Sequence, residues 1–250
     1  MNSEILVERH GPVAALTINR PQRRNALSDA LVARLRELLQ RNDSDAAIRA
    51  TVLTGCAPGF CAGSDLKELA HMSLDEMCAH EARTAAFCRE IAQLDKPVIA
   101  AVEGFALGGG FVLAASCDVI VAGSSVRWNL PEVEIGWIPP WGLETLVNRV
   151  GVSRARQLSW GGQVFTSDEA LRLGLVDHLA ENGQALPRAI EIAQMLARLP
   201  LEAVASTKLY FAAHAARNGE SGDALASRMF KENCRTETAK ATLRRFGVKA

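Results

Sequence analysis

The chain has 250 residues, enough for one large domain or two small ones whose core needs no disulfide or metal staples. Hydrophobic residues make up 48% and charged residues 22%, which excludes a disordered scaffold. Twenty-eight basic residues balance twenty-eight acidic ones, so no global field recruits nucleic acid or an anionic membrane, and an anionic ligand must be held by local groups.

The apolar runs, such as Val98 to Val102 and Phe111 to Ala115, stop well short of the roughly 18 residues of a membrane span. The opening MNSEILVERHGP lacks the basic and apolar segments of a secretory signal and carries acidic residues unlike a mitochondrial presequence, so a cytoplasmic location is expected. Cys56, Cys61, Cys78, Cys88, Cys117 and Cys234 form no Cys-x-x-Cys pair. They are expected to be reduced, mostly buried thiols rather than zinc ligands or a disulfide framework.

Ile5 to Glu8 and Val13 to Ile18, separated by Gly11-Pro12, have the composition of a hairpin. After NRPQRRN, Ser28 can cap a helix carrying Leu31, Leu35, Leu38 and Leu39 at helical spacing. Ala50 to Leu53 is a predicted buried strand, Gly55 to Gly63 a loop, and Leu74 to Leu94 a helix. Val98 to Val102 is a predicted central strand, followed by Gly108-Gly109-Gly110, an apolar helix, and a strand from Cys117 to Ala122. From Pro139 onward the pattern is helical almost throughout, with breaks expected at Gly151, Gly161-Gly162, Gly183, Pro200 and Gly219 to Gly222. The organisation is α/β, with residues 1–195 as an α/β core and 196–250 as a helical extension.

Two glycine-containing loops follow buried strands: PGFCAGSDLKEL and GFALGGGFVLAASCD. Neither is a phosphate-binding P-loop or a dinucleotide fingerprint, and the chain has no Gly-x-Ser-x-Gly elbow and no His-Glu-x-x-His. What remains is backbone chemistry. A helix opening at Gly109-Gly110 presents unpaired N–H groups to developing negative charge, and one N–H near Ser64 with one near Gly109 would form an oxyanion hole. The same glycines also suit plain tight packing of strand against helix.

The chain resembles the crotonase, or enoyl-CoA hydratase/isomerase, superfamily over essentially its whole length. NRPQRRNALS, PGFCAGSDLKEL, KPVIAAVEGFALGGGFVLAASCDVIVA and FTSDEALRLGLVDHL carry the resemblance, in the family's order and spacing. It implies a crotonase-like spiral of ββα units with a helical C-terminal trimerisation region, assembly as a homotrimer or dimer of trimers, and an acyl-CoA thioester substrate. Coenzyme A is then part of the substrate, and no separate cofactor is expected. The N–H groups of Ser64 and Gly109 are implied to hold the thioester carbonyl as it gains enolate charge.

Hydratases of this family carry one glutamate two residues after the triple glycine and another after a proline about twenty residues later. Here the first position is Val112 and the second is Glu132, within NLPEVEIGWIPPWG. One carboxylate can move a proton between two carbons of an enolisable thioester, whereas adding water commonly uses two. The pattern is therefore closest to single-glutamate enoyl-CoA isomerases (Δ3 to Δ2), with a hydratase or related lyase as the rival. Glu134 and Glu144 stand as rival carboxylates; an extended segment would put Glu132 and Glu134 on one face. Trp137 and Trp141 either narrow an acyl pocket or pack in the core. His71 and His80 lie where relatives have a mobile lid, and neither shows a partner in the sequence.

By the same resemblance, Arg24 and Ala26 in the first signature and Ala62, Asp65 and Lys67 around the second are implied substrate-binding positions, with Lys249 reaching CoA near the C-terminus. The non-enzymatic alternatives are an acyl-CoA-binding protein without turnover and an RNA-binding protein. Arg34, Arg36 and Arg41 would have to serve the latter, but Glu37 and Asp43 dilute them, so no nucleic-acid partner is expected.

Overall fold

A computed structural model describes residues 3–247. Its strands are β1 (Ile5–His10), β2 (Val13–Ile18), β3 (Ala50–Gly55), β4 (Val98–Val102), β5 (Phe105–Leu107), β6 (Val119–Gly123), β7 (Arg127–Asn129) and β8 (His178–Ala180). The helices are α1 (Asp29–Ser44), α2 (Leu66–Leu69), α3 (Leu74–Gln93), α4 (Gly109–Ala115), α5 (Leu143–Val150), α6 (Val152–Ser159), α7 (Ser167–Arg172), α8 (Ala185–Ala197), α9 (Leu201–Ala215), α10 (Gly219–Asn233) and α11 (Glu237–Gly247). The hairpin, the central strand and the first three helix starts follow from local chemistry. Ser28, for example, accepts from the Leu31 N–H at 3.2 Å to open α1, and Ser73 with Glu76 forms a capping box at α3.

Six strands form one sheet in the order β1-β2-β3-β4-β6-β8, antiparallel at the first pair and parallel thereafter. Alternation along β4 explains why it is apolar throughout. Val98, Ala100 and Val102 face a core shared with Leu16, Leu53 and the α1 leucines, whereas Ile99 and Ala101 face Ala185, Ala189 and Ile192 of α8. Each buried leucine of that core, Leu35 among them, contributes about 1.5–3 kcal/mol.

The spiral arises because each turn splits its two strands between sheets. β4 and β6 enter the large sheet, while β5 and β7 pair in a second, parallel one. Isolated bridges Leu27–Ser64 and Cys61–Ala106 carry that second layer along the loops. These loops are the ones that hold the chemistry.

The structure corrects three details. β5, β7 and β8 have three residues each, too short for periodicity to register, and among the described residues β8 is the one strand that interrupts the helical region after Pro139. Cys117 belongs to the turn before β6, its N–H bonded to the Ala114 carbonyl. The break expected at Gly219 to Gly222 falls just before it: α9 ends at Ala215, and α10 opens at Gly219 and runs through Gly222. A Cβ on Gly222 would lie 2.7 Å from the Glu144 Cγ, so this glycine serves close packing.

Helices α10 and α11 fold back onto the core. Phe230 meets Trp137 edge to face at 5.8 Å, Asn233 accepts the Ile138 N–H at 3.1 Å, and Thr242 donates to the Ile135 carbonyl at 2.9 Å. The segment around Glu132 is thereby braced from the C-terminal side. Among the described residues no helix is long and apolar enough to cross a membrane, and all six cysteines are free, four of them buried.

Candidate active site

Two loops meet where the sequence places the donors. A Cβ on Gly63 would lie 2.9 Å from the Gly109 nitrogen and 3.1 Å from the Leu107 oxygen, and Gly63 adopts φ +87°. Only glycine allows this approach without strain. Leu27 bonds the residues on either side of Ser64, to the Gly63 carbonyl and from the Asp65 N–H. Among the described residues neither the Ser64 N–H nor the Gly109 N–H, the latter at the first position of α4, has an acceptor. These are two neighbouring unpaired donors beside a helix start, the arrangement an oxyanion requires.

Glu132 faces them. It is 8% exposed, and its Oε2 has no hydrogen-bond partner among the described residues. Its Oε1 would lie 2.7 Å from a Cβ on Gly108, so the carboxyl is pressed against the triple glycine. Burial pushes its pKa up to about 8, opposed by its own backbone N–H and reinforced by the charge of Glu81. The carboxyl is therefore largely protonated at neutral pH.

The rivals separate cleanly. Residues 132–136 form a turn, with the Trp137 N–H bonded to the Glu132 carbonyl at 3.0 Å, so the extended alternation does not apply and Glu134 is exposed. Glu144 lines a different cavity of about 660 Å³ beneath α9. His71 is exposed, whereas His80 is buried and has the partner that the sequence did not reveal: its Nδ1 lies 3.0 Å from Asp29 Oδ1.

A small cavity of about 70 Å³ is lined by Ala62, Ser64, Gly109, Val112, Glu132, Trp137 and Trp141. It is also lined by Glu81 of α3, which sequence reasoning missed. Glu81 is 4% exposed, and its Oε2 accepts from Trp141 Nε1 at 2.7 Å and from Ser64 Oγ at 3.1 Å. A signal existed: on α3 the buried residues Met77, Glu81, Ala85 and Cys88 fall at helical spacing, which places a carboxylate on an apolar stripe.

A profile of the enoyl-CoA hydratase/isomerase family matches residues 8–249. The chain belongs to the enoyl-CoA hydratase/isomerase family. It is 39% identical to the 2,3-dehydroadipyl-CoA hydratase of Escherichia coli (strain K12), covering 78% of this chain and 76% of that one. Similarity to the short-chain-enoyl-CoA hydratase of Clostridium acetobutylicum is 37% identity over 78% and 75%. Among solved structures, an enoyl-CoA hydratase/isomerase from Mycobacterium paratuberculosis superposes with a TM-score of 0.88 at 28% identity, covering 98% of this chain and 99% of that one. The fold is that of the crotonase superfamily.

Of the substrate-binding positions suggested for this enoyl-CoA hydratase/isomerase family member, Ala62, Trp137 and Trp141 line the small cavity. Arg24 and Ala62 are together: the Ala62 N–H donates to the Arg24 carbonyl at 3.1 Å, and the exposed Arg24 guanidinium lies 4.6 Å from the Phe105 ring centroid. Lys67 is exposed at the start of α2. Ala26 and Asp65 are buried and bound internally, Ala26 O by Arg20 Nη1 at 2.5 Å, Asp65 by the Lys67 N–H at 3.2 Å and Arg20 at 3.4 Å. Their side chains do not line the cavity. Lys249 lies outside the described residues. Among the described residues no cluster of His, Cys, Asp and Glu could hold a metal ion.

Proposed function

We propose that this protein hydrates a 2-enoyl-CoA thioester through an enolate. The observation that carries the proposal is the buried Glu132 carboxyl against the unpaired Ser64 and Gly109 N–H groups. The thioester oxygen sits between the two N–H donors, which stabilise it more strongly as it gains charge. Water adds to C3, the C2–C3 electron pair moves into the enolate, Glu132, protonated at neutral pH, delivers its proton to C2, and the proton that the water loses returns to Glu132. The names of the related proteins, hydratases of dehydroadipyl-CoA and of short-chain enoyl-CoA, support hydration.

Val112 favours a second reading. It is apolar and 2% exposed at the position where family hydratases carry a glutamate. With one carboxylate, Glu132 in its ionised form would take a proton from C2 of a 3-enoyl-CoA and return it to C4, an isomerisation. A trimer or dimer of trimers accompanies either reading, with the exposed Tyr210 and Phe211 of α9 available for subunit contact.

The decisive assay follows the ultraviolet absorbance of the conjugated thioester for wild type and Glu132→Gln with 2-enoyl-CoA and, separately, 3-enoyl-CoA. Wild type is expected to remove conjugation from the 2-enoyl substrate, and the variant to be slower by about 10²–10⁴-fold. Conjugation built from the 3-enoyl substrate, with the 2-enoyl one untouched, would instead assign isomerisation.

A further inference from the structure

We propose that Glu81 is the second catalytic carboxylate of this site: it holds the water that adds to C3, with Trp141 and Ser64 fixing its orientation. The inference rests on the hydration reading and supplies what Val112 takes away from it.

Glu81 is buried, and among the described residues it makes no ion pair. Such a carboxylate is costly to a fold and is retained where its neighbours or its chemistry compensate. Its two donors, Trp141 Nε1 and Ser64 Oγ, both address Oε2, and no described residue donates to Oε1. One oxygen is anchored and the other is left for the cavity that Glu81 shares with Glu132. Burial raises the Glu81 pKa, while His80, Trp141 and Ser64 oppose the rise.

The anchors are themselves parts of the site. Ser64 offers its N–H to the thioester oxygen and its hydroxyl to Glu81. The Trp141 indole packs against the residue that carries the other donor, since a Cβ on Gly109 would come 2.9 Å from its Cζ2. Across the cavity, the Val112 side chain is spent on packing: its Cγ1 would lie 2.1 Å from a Cβ on Gly142. The wall on α4 is therefore apolar, and the carboxylate comes from α3 instead.

The proton balance closes. As the water oxygen bonds to C3, Glu81 takes a water proton and the C2–C3 electron pair becomes the enolate held by Ser64 and Gly109. Glu132 then gives its proton to C2. Turnover leaves Glu81 protonated and Glu132 ionised, and transfer of the proton from Glu81 to Glu132 through water restores the starting state.

The test uses the full chain as wild type, Glu81→Gln, Glu81→Asp and Glu132→Gln. Two readouts are taken: hydration of short- and medium-chain 2-enoyl-CoA thioesters, and deuterium exchange at C2 of butanoyl-CoA, which needs Glu132 and the two N–H donors but no added water. Gln keeps an acceptor oxygen for Trp141 and Ser64, and circular dichroism checks the fold. Glu81→Gln is expected to lose about 10²–10⁴-fold in hydration with less than a tenfold loss in exchange, Glu81→Asp to recover part of the hydration, and Glu132→Gln to lose both. Hydration by Glu81→Gln within about threefold of wild type overturns the role of Glu81 and leaves that of Glu132 standing. Equal loss of hydration and exchange in Glu81→Gln also overturns it, by showing that Glu81 only holds the loops. A wild type that exchanges C2 but hydrates nothing overturns the hydration reading and this inference together.

Discussion

The Trp141 indole N–H donates to Glu81 Oε2 at 2.7 Å inside the cavity that also holds Glu132. This bond opposes the effect of burial and keeps the Glu81 pKa lower than it would otherwise be. In Trp141→Phe the bond is gone and the pKa rises further, so less Glu81 is ionised at any given pH. If the carboxylate form holds the attacking water, the acid limb of the hydration profile moves to higher pH. The activity at neutral pH falls by about 10–100-fold, the size of a hydrogen bond to a charged group. The measurement is kcat/KM against pH. An acid limb left in place in Trp141→Phe would separate the indole from the base.

The contact between Gly63 and Gly109 gives a second expectation. Gly63→Ala places a methyl 2.9 Å from the Gly109 nitrogen at a residue with φ +87°, so the two loops must separate. The thioester oxygen then keeps one good donor, and hydration falls by about 10²–10³-fold. Ser64→Ala retains its backbone N–H and loses only the 3.1 Å bond to Glu81. Its cost is expected to be about tenfold or less. Steady-state kinetics on the two variants rank them, and a larger loss in Ser64→Ala would shift weight from the backbone to the hydroxyl.

Glu132 makes stability fall with pH. Its ordinary value of 4.5 is raised to about 8 in the fold, chiefly by burial. Between those values the unfolded chain has released a proton that the folded chain still binds, so stability declines as pH rises through this window. Glu132→Gln has the shape of the protonated form and nothing to titrate. It is expected to match wild type below about pH 4.5 and to exceed it by about 3–5 kcal/mol above about pH 8. Urea unfolding across that range reads the difference, and a gap that does not change with pH would show that Glu132 is not held protonated by the fold.

Much of this site is visible in the sequence because its chemistry is local. Gly63, Ser64, Gly109 and Glu132 lie in short motifs whose residue types are fixed by backbone approach and by one carboxylate after a proline. Strands β2, β3 and β4 show themselves through apolar runs, and α1 through its cap and leucine spacing. What the sequence hides is tertiary. The partner of His80 is Asp29, 51 residues away, and that of Glu81 is Trp141, 60 residues away. No window of the chain contains either pair. Nothing in the sequence separates Glu134 from Glu132, because the turn at 132–136 that keeps them off a shared face has no period of its own.

The exchange of roles between α3 and α4 can be tested by reversing it. Val112 lines the cavity, is 2% exposed and presses on Gly142, so Val112→Glu overpacks this contact and costs about 1–3 kcal/mol. Its carboxyl enters the same dry space as Glu81 and Glu132, where a second charge beside Glu81 is disfavoured; alone, the substitution is expected to leave C2 exchange measurable and to slow hydration. In the Glu81→Gln background the cavity again holds two carboxyls, one on α4 and one at Glu132. Hydration should then rise at least about tenfold above Glu81→Gln alone, because the water regains a base. A folded double variant that stays as slow as Glu81→Gln would show that the base must stand where Trp141 and Ser64 can hold it, and that α3 offers a position α4 cannot replace.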